Sequence, residues 1–297
     1  MCNHCKDHRN RRRNVYKTIR RQCELQALTK AINAYPSIKE TLKTADPLTV
    51  FGPNNRAFEK VPECGTLDEI LLYHVVPEYL STRRLENNKL YPTLREGKTV
   101  RVNVYERPVF NDVITVNGAK VVDANLKATN GVVHEINKVL CPPTQTLYQI
   151  AATNPDLSVL AEAVDAAGLE PVLNDPALSF TVFAPTNEAF EKLAASLGIT
   201  LQELLAFLVD NPEALTSILL YHVLGAPVFS AAIKKGLTYD IKTLNEDTID
   251  ILRCRCEPLK VKDNLGRKAA VLVKDVLAIN GVAHVIDKVL LPFEVAL

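Results

Sequence analysis

The side chains here that could move protons or hold a metal are histidines, and four of the six in the sequence form two matched pairs. His74 stands in Glu69-Ile70-Leu71-Leu72-Tyr73-His74-Val75, and His222 in its near copy Ser217-Ile218-Leu219-Leu220-Tyr221-His222-Val223. His134 and His284 stand in Asn130-Gly131-Val132-Val133-His134-Glu135-Ile136 and Asn280-Gly281-Val282-Ala283-His284-Val285-Ile286. If His74 met His134, or His222 met His284, in an open cleft with a nucleophile or metal, a histidine-dependent enzyme would result. No nucleophile elbow, Gly-rich phosphate loop or paired-histidine metalloprotease motif accompanies them. Periodicity favours a structural role. Leu67, Ile70, Leu71 and His74 share one helical stripe, as do Leu215, Ile218, Leu219 and His222. Alternation puts Val132, His134 and Ile136 on one face of a strand, and Val282, His284 and Ile286 likewise. Pro77 and Pro227 follow closely, so His74 and His222 fall in a final helical turn, where an imidazole can bond free carbonyls and the helix dipole favours its charged form. All four are read as structural histidines, with no catalytic residue, no metal and no cofactor.

Cysteine chemistry is the second possibility. Cys2-Asn3-His4-Cys5 followed by His8 has half the ligands of a zinc site, but its flanks resemble a tail and no scaffold is evident. Cys64 and Cys141 could pair within the first half, and Cys254 and Cys256 lie on one face of a strand. Seven cysteines leave at least one unpaired within the monomer. The sequence has no Asn-x-Ser/Thr sequon.

These residues must be positioned by elements that occur twice. Thr181-Val182-Phe183-Ala184-Pro185-Thr186-Asn187-Glu188-Ala189-Phe190 reads as a strand entering a proline turn and a capped helix start, and Thr49 to Phe58 repeats it. Upstream, an offset of 132 superimposes Leu25 on Leu157, Leu28 on Leu160 and Ala31 on Ala163, an amphipathic helix in each half, with Gly168 as a helix end leading to the Thr181 strand. At the tyrosine-histidine segments the offset is 148; the extra residues hold Thr200-Leu201-Gln202-Glu203, a capping box, and Thr66-Leu67-Asp68-Glu69 is another. Asn130-Gly131 and Asn280-Gly281 signal hairpins, and Thr99 to Val104 and Ala270 to Val273 alternate as strands. Helices lead and strands close each half, so the class is α+β with an antiparallel-rich sheet.

The 47% hydrophobic content and net charge of +1 describe a globular chain, not a polyanion binder, and few aromatics and no tryptophan argue against nucleic acid. Residues 1–21 hold eight Lys or Arg against Asp7, leaving −6 on the remainder, as expected of a solvated basic tail. The longest apolar candidate, Leu201 to Val223, is broken at Asp210-Asn211-Pro212-Glu213, so no membrane span is expected. Neither a signal peptide nor a lipid-anchor tail is visible, which fits a cytosolic chain, a matured one or an incomplete gene model. Pro142-Pro143-Thr144-Gln145-Thr146 reads as a short stiff connector.

Taken together and in order, twice over, these blocks closely resemble the fasciclin domain family, from about Asn14 to Phe293. Thr181 to Phe190 is similar to the family's first signature, Tyr221-His222 to its central tyrosine-histidine pair, and Gly281 to Leu291 to its closing signature. The first copy diverges at Gly52, Asn54 and Glu135-Ile136-Asn137. The resemblance implies two tandem fasciclin-type domains, 14–143 and 144–297, after a basic tail over 1–13. Each domain would be a wedge-like antiparallel-rich β-sandwich with packed helices. It implies non-enzymatic cell adhesion or matrix interaction, outside the cell or at its surface, with integrin-like cell-surface or matrix proteins, wall polysaccharide or a second copy as partners. The family's binding residues fall on Tyr73, His74, Tyr221, His222, Asp275 and Val276; the first copy has Asn125-Leu126 at the last two positions and lacks the carboxylate an integrin-bound metal would need. A carbohydrate or small-molecule module is the alternative, with Tyr79, Tyr91, Tyr105 and Tyr239 as its aromatic candidates.

Overall fold

The computed structural model describes residues 13–105, 113–234, 236–253 and 259–295. Cys2, Cys5, His8, Cys254 and Cys256 lie outside the described residues, as does the tail before Arg13. Contacts divide the chain between Pro142 and Pro143.

Unit 1 begins with α1 (Val15–Arg21), α2 (Gln26–Asn33) and α3 (Pro36–Thr44), followed by β1 (Leu48–Pro53), α4 (Leu67–Tyr73) and β2 (Val75–Val76). Five strands close it: β3 (Lys89–Pro92), β4 (Thr99–Tyr105), β5 (Val113–Val116), β6 (Ala119–Ala128) and β7 (Gly131–Ile136). Unit 2 repeats the plan with α5 (Leu147–Thr153), α6 (Ser158–Ala166), α7 (Glu170–Asn174), β8 (Phe180–Pro185), α8 (Asn187–Leu197), α9 (Leu201–Asp210), α10 (Pro212–Tyr221) and β9 (Val223–Leu224). Its closing strands are β10 (Thr238–Lys242), β11 (Thr248–Leu252), β12 (Lys260–Lys262), β13 (Lys268–Ala278) and β14 (Gly281–Ile286).

Local chemistry sets the helix ends. The Thr186 hydroxyl accepts from Ala189 N–H to start α8, and Gly198 ends it at φ +75°. Thr200 and Glu203 form the expected capping box of α9, and Thr66 with Glu69 that of α4. In unit 1 the matching corner differs. Asn54 accepts from Ala57 N–H, but only a 3₁₀ turn, Ala57–Lys60, follows. Pro62 holds Val61 extended and stops the helix there. A second departure is the third helix of each unit, α3 and α7, which intervenes before the strand; both carry proline in the first turn, an acceptable place for it.

Each unit has one seven-stranded sheet, in the orders β2-β1-β7-β6-β5-β4-β3 and β10-β11-β12-β13-β14-β8-β9. The central pairs β1/β7 and β8/β14 are parallel; every other pair is antiparallel. The long strands β6 and β13 each carry two register shifts, and such bulges bend a sheet. Phe51 and Ile136 therefore pack against Val100, Val102 and Val116 from the far half of the same sheet, making a sandwich, while α1 to α3 cover the outer side of β1 and β7 through Ile19, Leu28 and Leu42. Unit 2 matches, with Phe183 and Ile286 against Ile249, Ile251 and Val261.

Asn130-Gly131 and Asn280-Gly281 do turn hairpins, and they do more. A Cβ on Gly131 or Gly281 would sit 2.0 Å from the carbonyl oxygen of Leu48 or Phe180, so only glycine lets the parallel strands meet. Asn280, fully buried, accepts from Leu147 N–H at 2.8 Å and donates to Leu173 O and Asp175 O. Asn130 does the same for Val15 N–H, Leu42 O and Ala45 O. One amide thus ties the first helix's start to the third helix's end, satisfying groups a helix cannot satisfy itself.

Candidate functional site

The tyrosine-histidine pair ends a helix in both units, and both side chains are buried: Tyr73 and Tyr221 at 0% exposure, His74 at 1% and His222 at 2%. His74 Nδ1 lies 2.7 Å from Ile70 O, and Leu140 N–H donates to its Nε2 at 2.9 Å. His222 is held likewise by Ile218 O at 2.8 Å and Leu290 N–H at 2.9 Å. A carbonyl can only accept, so each ring carries its proton on Nδ1 and offers a lone pair at Nε2. Burial pushes both imidazoles down to about 4, with the Ile70 and Ile218 carbonyls pulling weakly the other way. This corrects the expectation of a charged ring at the helix end: desolvation outweighs the dipole, and a protonated Nε2 would face an N–H donor.

The tyrosines anchor the opposite side. Tyr73 donates to Thr99 O and accepts from Asn117 Nδ2, both at 2.7 Å. Tyr221 donates to Thr248 O at 2.8 Å and accepts from Asn264 N–H at 2.9 Å. Burial pushes both hydroxyls up to about 12, so they stay neutral donors.

The second histidine pair fastens the loop that follows. His134 Nε2–H donates to Leu80 O at 2.7 Å, and its Nδ1 accepts from Asn125 N–H at 3.3 Å. His284 does the same with Val228 O at 2.9 Å and Asp275 N–H at 3.2 Å. Their rings stack on Phe51 and Phe183, 5.7 and 5.5 Å between centroids, and burial lowers both pKa values. None of the four imidazoles retains a free nitrogen, because each uses one as donor and one as acceptor to the backbone.

Asn125 and Asp275 occupy one position in the two units. Each sits in the bulge of its long strand at φ +60°, a conformation Asn and Asp tolerate best after glycine. Asn125 Oδ1 accepts from Thr82 N–H at 2.9 Å and its Nδ2 donates to Thr82 Oγ1 at 2.8 Å. The Asp275 carboxylate accepts from Ser230 N–H at 2.7 Å and from Ser230 Oγ at 2.5 Å. The hydroxyl turns to suit either partner, so amide and carboxylate make the same latch. Val276 lies beside it, half-buried.

Two pairs of struts that sequence reasoning does not reach complete this picture. Thr49 Oγ1 accepts from Leu80 N–H and donates to Glu78 O; Thr181 Oγ1 accepts from Val228 N–H and donates to Ala226 O. The signal was there: one threonine in the same place in two otherwise apolar buried strands. Asn130 and Asn280 went unseen as buried links because Asn-Gly is so strong a turn signal. Resemblance already matches Asp275 with Asn125; the structure adds their left-handed backbone and their bonds to Ser230 and Thr82. Of the aromatic candidates, Tyr91 is buried, Tyr79 and Tyr239 are half-buried, and the Arg84 guanidinium lies 5.6 Å over the Tyr79 ring. Cys64 and Cys141 form a disulfide. Among the described residues, no three His, Cys, Asp or Glu side chains gather as metal ligands would, and no single helix is long and apolar enough to cross a membrane.

Two copies of one bent α+β sandwich, each braced by the same polar struts, define a tandem-repeat framework protein. The chain belongs to the fasciclin domain family: the Fasciclin domain pattern matches residues 24–142 and again 155–292. It is 32% identical over 255 residues to transforming growth factor-beta-induced protein ig-h3 of Sus scrofa, covering 82% of this chain and 34% of that protein. It is 32% identical over 266 residues to periostin of Homo sapiens, covering 86% of this chain and 29% of periostin. The chain thus spans about a third of the length of these relatives. Among solved structures it is similar to a FAS1 domain pair from the insect cell adhesion molecule fasciclin I, at TM-score 0.46 and 23% identity, over 90% of this chain and 97% of that one.

Proposed function

We propose that this chain is a non-enzymatic adhesion or matrix-interaction protein acting outside the cell, with cell-surface or matrix proteins as partners. The observation that carries the reading is the full commitment of the four buried imidazoles, the histidines of the described residues, to backbone groups that hold the frame. The two Fasciclin domain matches and the kinship with ig-h3 and periostin support it. The Cys64–Cys141 disulfide supports an oxidising compartment.

Partner contact in this reading falls on the bulged strand and the loop latched to it. In unit 2, Leu272 and Val273 are 57% and 52% exposed just before Asp275 and Val276, and in unit 1 Val122 is 48% exposed. Tyr73, His74, Tyr221 and His222 act indirectly, by fixing the frame behind that surface.

The test is Asp275→Asn in the full chain, assayed for attachment of cells and for binding to immobilised matrix proteins. Because Asn125 fills the equivalent latch, the substitution should change stability by less than about 1 kcal/mol while reducing binding through unit 2 at least ~5-fold. Wild-type protein that attaches no cells and binds no matrix protein would end the proposal.

A further inference from the structure

Unit 2 contains a cavity that the framework does not use. It lies between the helical layer and the central parallel strands, with Val182, Ala184 and Ala283 on its strand side, and it is partly open to solvent. Tyr148, Ile150, Leu169 and Leu220 rim that mouth, half-buried, and Val172 beside them is 39% exposed.

Its origin can be read against unit 1. Aligned helix by helix and strand by strand, Ala151 stands where unit 1 has Ile19, Val164 where it has Ile32, and Ala283 where it has Val133. All three larger side chains are buried in unit 1, at 0%, 1% and 0% exposure. Three positions run the other way, Leu147 for Val15, Ile150 for Thr18 and Ala184 for Gly52, but each adds one heavy atom. An isoleucine reduced to alanine removes far more, and such space is destabilising unless something fills it.

The lining decides what could fill it. Apart from His222 it is built of aliphatic side chains and Tyr148, and both His222 nitrogens are occupied by Ile218 O and Leu290 N–H. The Tyr148 hydroxyl at the rim lies beside Asp165, which raises its pKa. No charge and no free polar group faces inward, so a charged or strongly polar ligand would lose its hydration without compensation. We propose that the unit 2 cavity binds a small neutral apolar molecule, a single ring or a short hydrocarbon chain, entering between Tyr148 and Leu220. This goes beyond adhesion and does not depend on it, since the mouth and the bulged strand of β13 share no residue.

Toluene and 1-hexanol are suitable probes, added to the full chain and followed by methyl NMR and by thermal unfolding. The expected result is saturable shifts of the Ala151, Ala283 and Leu219 methyl signals and a raised melting temperature for unit 2. Ala151→Ile, which restores the unit 1 side chain, should weaken binding at least ~10-fold and raise the melting temperature without probe. Ala283→Val is the second filling variant if Ala151→Ile does not fold. No saturable shift with either probe, shifts confined to other methyl groups, or binding unchanged in the filled variants would each overturn the proposal.

Discussion

At the residue scale, the buried imidazoles make stability depend on pH in a definite direction. In the unfolded chain His74 and His222 take up a proton near their ordinary 6.5, whereas in the folded chain burial holds them at about 4. Their contribution is complete above about pH 6.5, falls as pH drops from there to about 4, and changes little below. The loss is about 3 kcal/mol for each ring; His134 and His284, also lowered, add in the same sense. Urea unfolding across this range should show both units weakening together, and Tyr221→Phe should shift the unit 2 curve by a further 1–2 kcal/mol, on the order expected for a lost buried hydroxyl bridge. The histidines' burial was legible in the sequence, since His74 rides an apolar stripe and His134 an apolar strand face. Their tautomer was not, because it depends on Leu140 and Leu290 N–H groups 66 and 68 residues away.

At the scale of elements, periodicity and capping residues found the amphipathic helices and the closing strands, and the capping box at Thr200 located α9. What they left out were short elements fixed by tertiary contact. The α7 helix has five residues and cannot persist alone; it exists because Asn280 takes up the Leu173 and Asp175 carbonyls at its end. The parallel pairing of β8 with β14 was equally hidden, for the first strand lies a hundred residues before the last. Gly281 tests that contact. Gly281→Ala forces a methyl against Phe180 O and should cost more than about 3 kcal/mol, measured as the loss of the unit 2 transition with unit 1 intact. The same substitution at the open Gly236, where no atom lies within 4 Å of the added carbon, should cost much less, though its φ of +83° still disfavours alanine.

At the scale of the molecule, the two units share a plan and differ in what reinforces it. Unit 1 is closed by Cys64–Cys141, which spans 77 residues, and carries Ile19, Ile32 and Val133 where unit 2 has smaller side chains; unit 2 has α9, and α8 in place of a 3₁₀ turn, with its cavity. Chain-entropy reasoning gives the disulfide about 4 kcal/mol, so reductant should lower the melting temperature of unit 1 and leave unit 2 in place. The tandem duplication was legible because the same blocks recur in the same order, whereas the cavity was not, since it arises from the joint effect of Ala151, Val164 and Ala283 on three separate elements. The account as a whole rests on neutral imidazoles acting as struts, which histidine-selective nitrogen NMR of the full chain observes directly. It predicts the Nδ1–H form for His74 and His222, with no titration from about pH 8 to 5, and the Nε2–H form for His134 and His284, with titration shifted below the ordinary 6.5. Any of these four rings titrating near 6.5, or shifting when zinc is added, would contradict it.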